Sequence, residues 1–233
     1  MWKETNYQND LLTEHNSDNI KPALIESIEK ESIAEEIGFE AGDSIISING
    51  HKPRDLIDYQ ILISEEILEI SILDRNQCIH KIKIEKDYDS NLGINFEEAL
   101  FDSLKQCNNQ CPFCFIDQQP PGKRKSLYLK DDDYRLSFLY GSYLTLTNLN
   151  EKDWERISTQ RLSPLYISVH ATNPDTREKL LKNSRARYIL DQIKWFEQNS
   201  LQLHAQIVVC PQINDGQILK KSILELSKFH NTE

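Results

Sequence analysis

Residues 107–114 read CNNQCPFC, so Cys107, Cys111 and Cys114 gather three of the chain's five cysteines in one short stretch. Phe113 stands directly before the third and Phe115 directly after it. Thiolates are soft ligands and strong nucleophiles, so thiols this close point to metal or redox chemistry. A structural zinc site takes four protein ligands, as a rule in two pairs. A ferredoxin-type cluster also takes four cysteines. Three thiols leave one coordination position open, which a catalytic metal needs if it is to hold a small molecule. Cys78, His80, His170 and Cys210 are the other candidate ligands, and all are distant in sequence. Zinc in a structural role and an open-cornered cluster both stay on the table at this point.

The elements around these cysteines come next. YLTLTNL (143–149) reads as a strand, and EKDWERIST as a helix that Asn150 caps. SPLYISVHAT (163–172) reads as a buried strand. SRARYILDQIKWFEQNS follows as an amphipathic helix with Ile189, Ile193 and Phe196 on one side. LQLHAQIVVCP is a further strand, and DGQILKKSILELSKFH a helix with Ile218, Ile223 and Leu226 apolar. Alternating strands and helices predict a parallel α/β sheet with right-handed crossovers. Such folds place chemistry at the C-terminal strand ends. Ser168 and His170 share a face if the strand period of two runs through both. His170 is then either a proton donor or substrate contact, or a satisfied core histidine. His204, Gln206 and Cys210 share parity on the next strand. Cys210 is either a hydrogen-atom donor or a small core hydrophobe. The charge runs Gly122–Lys125 and Asp131–Asp133 read as solvated surface flanking SLYLK.

The N-terminal part is different in kind. Residues 1–19 form a polar lead-in, and residues 20–88 a small β-rich module, leaving 89–233 for the α/β domain. In the module PALIESI is a strand, EKESIAEEIGF a turn and short helix, and Arg54 to Ser64 a second helix. EILEISILD and CIHKIKIEK alternate as half-buried strands do, with Asp74–Gln77 as the turn between them. The net charge is −10, which argues against nucleic acid as a partner, since phosphate binding needs a basic face. No apolar run is long enough to span a membrane, and the polar start is unlike a signal peptide. The expected location is the cytoplasm, where thiols stay reduced.

Two resemblances follow from these residues. SIAEEIGFEAGDSIISINGHKP resembles PDZ domains, with turns at Gly42-Asp43 and Asn49-Gly50. That implies either strand addition by a peptide or protein ligand, or a packing module without one. The Cys-x3-Cys-x2-Cys spacing, with Phe113 before the third cysteine, resembles the radical S-adenosylmethionine (SAM) superfamily. The resemblance implies a partial (β/α) barrel and a 4Fe-4S cluster on Cys107, Cys111 and Cys114. The fourth iron would chelate SAM, whose reductive cleavage gives a 5′-deoxyadenosyl radical that acts on a substrate left unidentified. It also implies a low-potential donor such as ferredoxin or flavodoxin. Phe113 would lie by the adenine or simply pack in the core. Where the superfamily has a Gly-Gly-Glu-like turn for the methionine amino group, this chain has Thr147 and Asn148, and no carboxylate; Ser168 joins them as a cofactor contact. The order of parts, through CNNQCPFCFIDQQPPGKRKSLYLKDDDYRLSFLYGSYLTLTNL, ISVHATNPDTR and INDGQ, resembles a cyanobacterial-type family of iron-sulfur oxidoreductases with an N-terminal PDZ domain. Members carry a further C-terminal domain, so the chain reads as the front part of a longer protein with an unpaired sheet edge. A scaffold with a structural metal and a plain electron carrier are the rival functions.

Overall fold

A computed structural model describes residues 19–233. The polar lead-in falls outside the described residues except for Asn19. The described residues divide into two compact units, 19–103 and 104–233.

The first unit is a five-stranded antiparallel sheet in the order β4-β3-β2-β1-β5. Its strands are β1 (Ala23–Ile28), β2 (Ser44–Ile48), β3 (Ile67–Leu73), β4 (Ile79–Glu85) and β5 (Ile94–Phe96). In β3 the alternation places Leu68, Ile70 and Ile72 inward. They join Ile45, Ile48, Tyr59 and Leu62 in one apolar core. The short helix α1 (Ile33–Glu36) is capped by Ser32, and α2 (Leu56–Leu62) by Asp55. Two turns fix the register. Asn49 and Gly50 both have positive φ, and Ile48 and His51 exchange backbone hydrogen bonds across them, as a two-residue turn requires. Asp74 Oδ1 accepts the N–H groups of Asn76 and Cys78 at 2.8 Å each, closing the β3–β4 hairpin. Strand β5, beyond residue 88, pairs with β1 and so belongs to this sheet.

The second unit holds a three-stranded parallel sheet in the order β6-β7-β8. The strands are β6 (Tyr143–Leu144), β7 (Leu165–Ser168) and β8 (Leu203–Gln206). Parallel pairing is as expected, but these three strands do not close a barrel. Around them lie α3 (Tyr134–Tyr140), α4 (Glu151–Thr159), α5 (Pro174–Leu181), α6 (Ile189–Gln198) and α7 (Gly216–Leu226). The edge of β8 is not bare: Leu203 donates to Asn231 O, and Ala205 to Glu233 O.

Each strand is shorter than the apolar runs suggest. β6 stops at Leu144 because the Thr145 N–H is taken by Asp132 Oδ1 at 2.6 Å and Leu146 has φ +61°. β7 stops at Ser168, and His170 has φ +62°, so the period of two does not carry from Ser168 to His170. β8 stops at Gln206, which leaves Cys210 in the following loop. The Asp131–Asp133 run is also not a solvated face. Asp132 and Asp133 are each 1% exposed, and only Asp131 faces solvent. Asp133 caps α3 and forks onto the Arg135 guanidinium at 2.9 and 2.7 Å. SLYLK, between the two charge runs, forms a 3-10 turn at Lys125–Tyr128. The helix read from Ser184 begins as a 3-10 turn, Ser184–Tyr188, before α6.

Candidate functional site

The first half of the cysteine loop is tied down by backbone at two points. Cys107 N–H donates to Lys130 O at 3.0 Å, and Gln110 N–H to Leu181 O at 3.0 Å. Between them sits a buried amide network. Asn109 Nδ2 donates to Thr145 Oγ1 at 2.8 Å and reaches the Cys107 sulfur at 3.3 Å. Its Oδ1 accepts from Thr147 Oγ1 at 3.1 Å and from Asn183 Nδ2 at 2.8 Å. Thr145 Oγ1 donates in turn to Asp132 Oδ2 at 2.6 Å. Thr147 and Asn148 are therefore both engaged with this loop. Asn148 Nδ2 donates to the carbonyls of Gln106 and Asp132. These contacts hang the loop from residues that follow the C-terminal ends of β6 and α5.

All five cysteines are free, and Cys107, Cys111 and Cys114 are each partly buried. Burial pushes the Cys111 thiol up to about 11, with help from the neighbouring Cys107 and Cys114. Burial also raises Cys107, with Asp132 adding to the rise and the Asn109 amide opposing it. Lys130 lies close enough to Cys107 and Cys114 for their charges to be felt. Cys111 and Phe113 pack against Ala171, Leu180, Leu181 and Ala186, and Cys210 joins the same apolar cluster. Burial raises the Cys210 thiol as well.

Phe113 meets His170 edge-on, with ring centroids 4.8 Å apart. His170 is 4% exposed, and its Nδ1 accepts from Val208 N–H at 3.2 Å. That bond assigns the ring proton to Nε2. Burial, with the Arg177 charge beside it, holds His170 down at about 3. It is a neutral imidazole across the physiological range. Ser168 is buried at the end of β7, and its carbonyl accepts from Arg177.

Arg177 is the residue that sequence reading passed over. It is fully buried and donates to four carbonyls: Thr145 at 2.9 Å, Ser168 at 2.8 Å, Val169 at 2.8 Å and Ala186 at 2.7 Å. Burial lowers its guanidinium to about 10, while Asp132 and Cys111 act in the opposite direction. It remains a cation set under the strand ends. The signal for it was Asn173-Pro174, an N-cap followed by proline at the first helical position, which predicts a helix with Arg177 in its first turn. Asn108, Asn109, Asp132 and Asn183 were missed for another reason: nothing in an isolated amide or carboxylate says that it will meet the others.

Among the described residues, no three Cys, His, Asp or Glu side chains converge as a site for a single metal ion. A cluster asks for something else. Each thiolate binds a different iron, so the sulfurs need to ring a cavity rather than meet at a point. Three free thiols on one loop, one of them hydrogen-bonded by an amide, fit that donor set. Zinc fits less well, because among the described residues no set of side chains converges on one point.

The arrangement is that of an α/β protein with a thiol-rich loop at the C-terminal edge of a parallel sheet. The family model of the Radical SAM-like domain matches residues 86–232. A PDZ domain model matches residues 24–73. The chain belongs to the radical SAM-like family and carries an N-terminal PDZ domain. No curated protein matches it. No helix among the described residues is long and apolar enough to cross a membrane.

Proposed function

We propose that the second unit is a radical SAM iron-sulfur protein, with Cys107, Cys111 and Cys114 holding a 4Fe-4S cluster whose fourth iron binds SAM. The observation that carries this reading is the three free thiols on a loop fastened to the strand ends, in a chain of this family. When bound, the cluster supplies an electron for reductive cleavage of the SAM sulfonium, the electron coming from a low-potential donor of the ferredoxin or flavodoxin kind. The protein's own share is positioning and electrostatics. Asn109 offers an N–H to the Cys107 sulfur and fixes that side chain. Arg177 sets a positive charge near Cys111 that opposes, without overcoming, the burial that raises this thiol. Phe113, Leu181 and Ala171 keep water from the Cys111 side of the loop. His170, neutral and with its proton on Nε2, offers one N–H to a ligand beside Phe113. Thr147, Asn148 and Ser168 contribute through the loop and strand ends that they hold.

The test is anaerobic reconstitution with iron and sulfide, followed by iron counting and visible absorption. Wild type should take up four irons per chain and, with dithionite and SAM, release 5′-deoxyadenosine. Cys111→Ala should lose the iron. Stoichiometric zinc with no iron uptake, or a cluster that leaves SAM intact through repeated reduction, overturns the reading.

A further inference from the structure

Segment 104–130 runs against the charge of the chain. It holds five cations and one acid, Asp117, in a protein whose net charge is −10. Two of the cations are already engaged: Lys105 pairs with Asp153, and Lys130 with Asp117. The other three, Lys123, Arg124 and Lys125, are consecutive and exposed. Among the described residues, none of these three side chains has an ionic or hydrogen-bonding partner.

Three charges on a loose loop would be ordinary solvated surface. These three stand on a fixed bend. The Tyr128 hydroxyl accepts the Lys123 N–H at 2.8 Å and donates to Pro120 O, which closes the loop. Leu127 N–H returns to Arg124 O at 3.1 Å, and Lys125–Tyr128 wind into the 3-10 turn. The bend is joined to the cysteine loop on both sides. The chain leaves from Cys114 through Phe115 and Asp117. On its return, the Lys130 carbonyl takes the Cys107 N–H, and the Lys130 ammonium pairs with Asp117. Phe115, directly after Cys114, is 72% exposed. Its carbonyl accepts from Gln119 Nε2 at 3.2 Å. An outward aromatic together with Arg and flanking charge has the composition of a protein contact surface.

Charge decides the kind of partner. An acidic chain repels another acidic protein over most of its surface, so a local basic stretch selects where such a partner lands. Nucleic acid fits less well, because it asks for a longer basic face than three residues. We propose that the loop 115–130 is the docking surface for a small acidic redox protein, which delivers one electron to the cluster. This rests on the cluster reading given above. The donor gives up the electron and the cluster gains it, with no bond made or broken between the partners.

The probe is a purified acidic flavodoxin, titrated first onto the full chain without iron, so that docking is read apart from the cluster. Wild type should bind one flavodoxin per chain, with affinity falling roughly tenfold or more between about 0.02 M and about 0.3 M salt. The combined variant Lys123→Glu, Arg124→Glu, Lys125→Glu should weaken low-salt binding by roughly tenfold or more. The same charge change on α7 and just after it, Lys220→Glu, Lys221→Glu, Lys228→Glu, should stay within about twofold of wild type. These two variants have equal net charge, so their difference isolates the place of the charge from its total. Phe115→Ala should weaken binding by roughly fivefold at every salt concentration, because an apolar contact is not screened. After reconstitution, electron transfer from reduced flavodoxin should be slower in the reversed bend, while dithionite reduces both clusters to the same extent. No flavodoxin binding, equal loss in both charge-reversed variants, or tighter capture of single-stranded RNA by the bend would overturn the proposal. Dithionite-driven SAM cleavage without flavodoxin docking would overturn this proposal alone. Docking through the bend with no iron uptake would support the surface and overturn the cluster reading. If the reversed bend does not fold, Lys123→Gln, Arg124→Gln, Lys125→Gln makes the same test with a smaller loss.

Discussion

The two units are held together by different means. In the first, the register is local. Asn49-Gly50 and Asp74 close their turns within a few residues, and the core is a continuous set of Ile, Leu, Phe and Tyr side chains. In the second, the buried polar side chains are far more numerous, and they tie together residues distant in sequence. Asn109 reaches Thr145 and Asn183; Arg177 reaches Thr145 and Ala186. An apolar core tolerates exchange of like for like, whereas a buried polar network fails when one member is missing. The unit to which the proposed chemistry belongs is the one that depends on individual polar atoms.

The sharpest way to break this contrast is Arg177→Met. Four carbonyls lose charged donors in a place water does not reach. Losing buried charged hydrogen bonds of this kind costs on the order of 3–5 kcal/mol. Hydrogen exchange read peptide by peptide should show faster exchange across residues 104–233 and no change across 19–103. Equal acceleration in both units would erase the distinction. Arg177→Lys should recover only part of the loss, because a single ammonium cannot reach four carbonyls.

The counterpart in the first unit is Ile70→Ala, at the centre of β3 and fully buried. Truncation in such a core costs about 2–4 kcal/mol through lost burial and the cavity left behind. Exchange should quicken in residues 19–103 only, and iron uptake by the cysteine loop should be unchanged. A loss of iron on this substitution would mean that the second unit leans on the first.

These contrasts also explain what the sequence disclosed. The β3–β4 hairpin and the α4 cap were legible because alternation, turn residues and capping residues act over a few positions. Cys107, Cys111 and Cys114 stand out in the sequence for the same reason, being three thiols close together on one loop. The buried fate of Asp132 and Asp133 was not legible. A run of three aspartates reads as surface unless one knows that Thr145 and Arg135 are waiting for two of them. The ends of β6 and β7 were equally hidden, since side chains from elsewhere stop those strands by taking their backbone groups. His170 looked like a strand residue because a left-handed backbone leaves no mark in composition.

A smaller effect comes from acid. His170 is held at about 3 in the folded chain, against an ordinary 6.5, by burial and by Arg177. The unfolded chain therefore binds the extra proton first. Stability of the second unit is complete above about pH 6.5 and falls toward pH 3, by up to about 1.4 kcal/mol per pH unit from this group. Asp132, whose carboxyl is raised by burial, works in the opposite sense as pH falls. His170→Asn keeps a residue that accepts the left-handed backbone and removes the titration. Between pH 6.5 and 4, indole-detected urea unfolding should lose stability more steeply in wild type than in His170→Asn. Parallel curves would show that His170 carries no such penalty.

The smallest predicted change bears directly on the proposed chemistry. Asn109→Asp preserves Oδ1, so Thr147 and Asn183 keep their acceptor. It replaces the Nδ2 that faces the Cys107 sulfur and also donates to Thr145 Oγ1 with an oxygen, and it adds a carboxyl at a buried position. Hydrogen bonds to cluster sulfurs raise the reduction potential, because they favour the more negative reduced state. With the donor gone and a carboxylate in its place, both changes push the potential of a reconstituted cluster more negative, by an amount worth about 1 kcal/mol or more. Iron content should stay near wild type, since all three thiols remain. An unchanged potential at full iron content would mean that the Asn109 amide only braces the loop. A large loss of iron would mean instead that the loop's shape depends on the full network, which places Asn109 with Arg177 rather than with the cysteines.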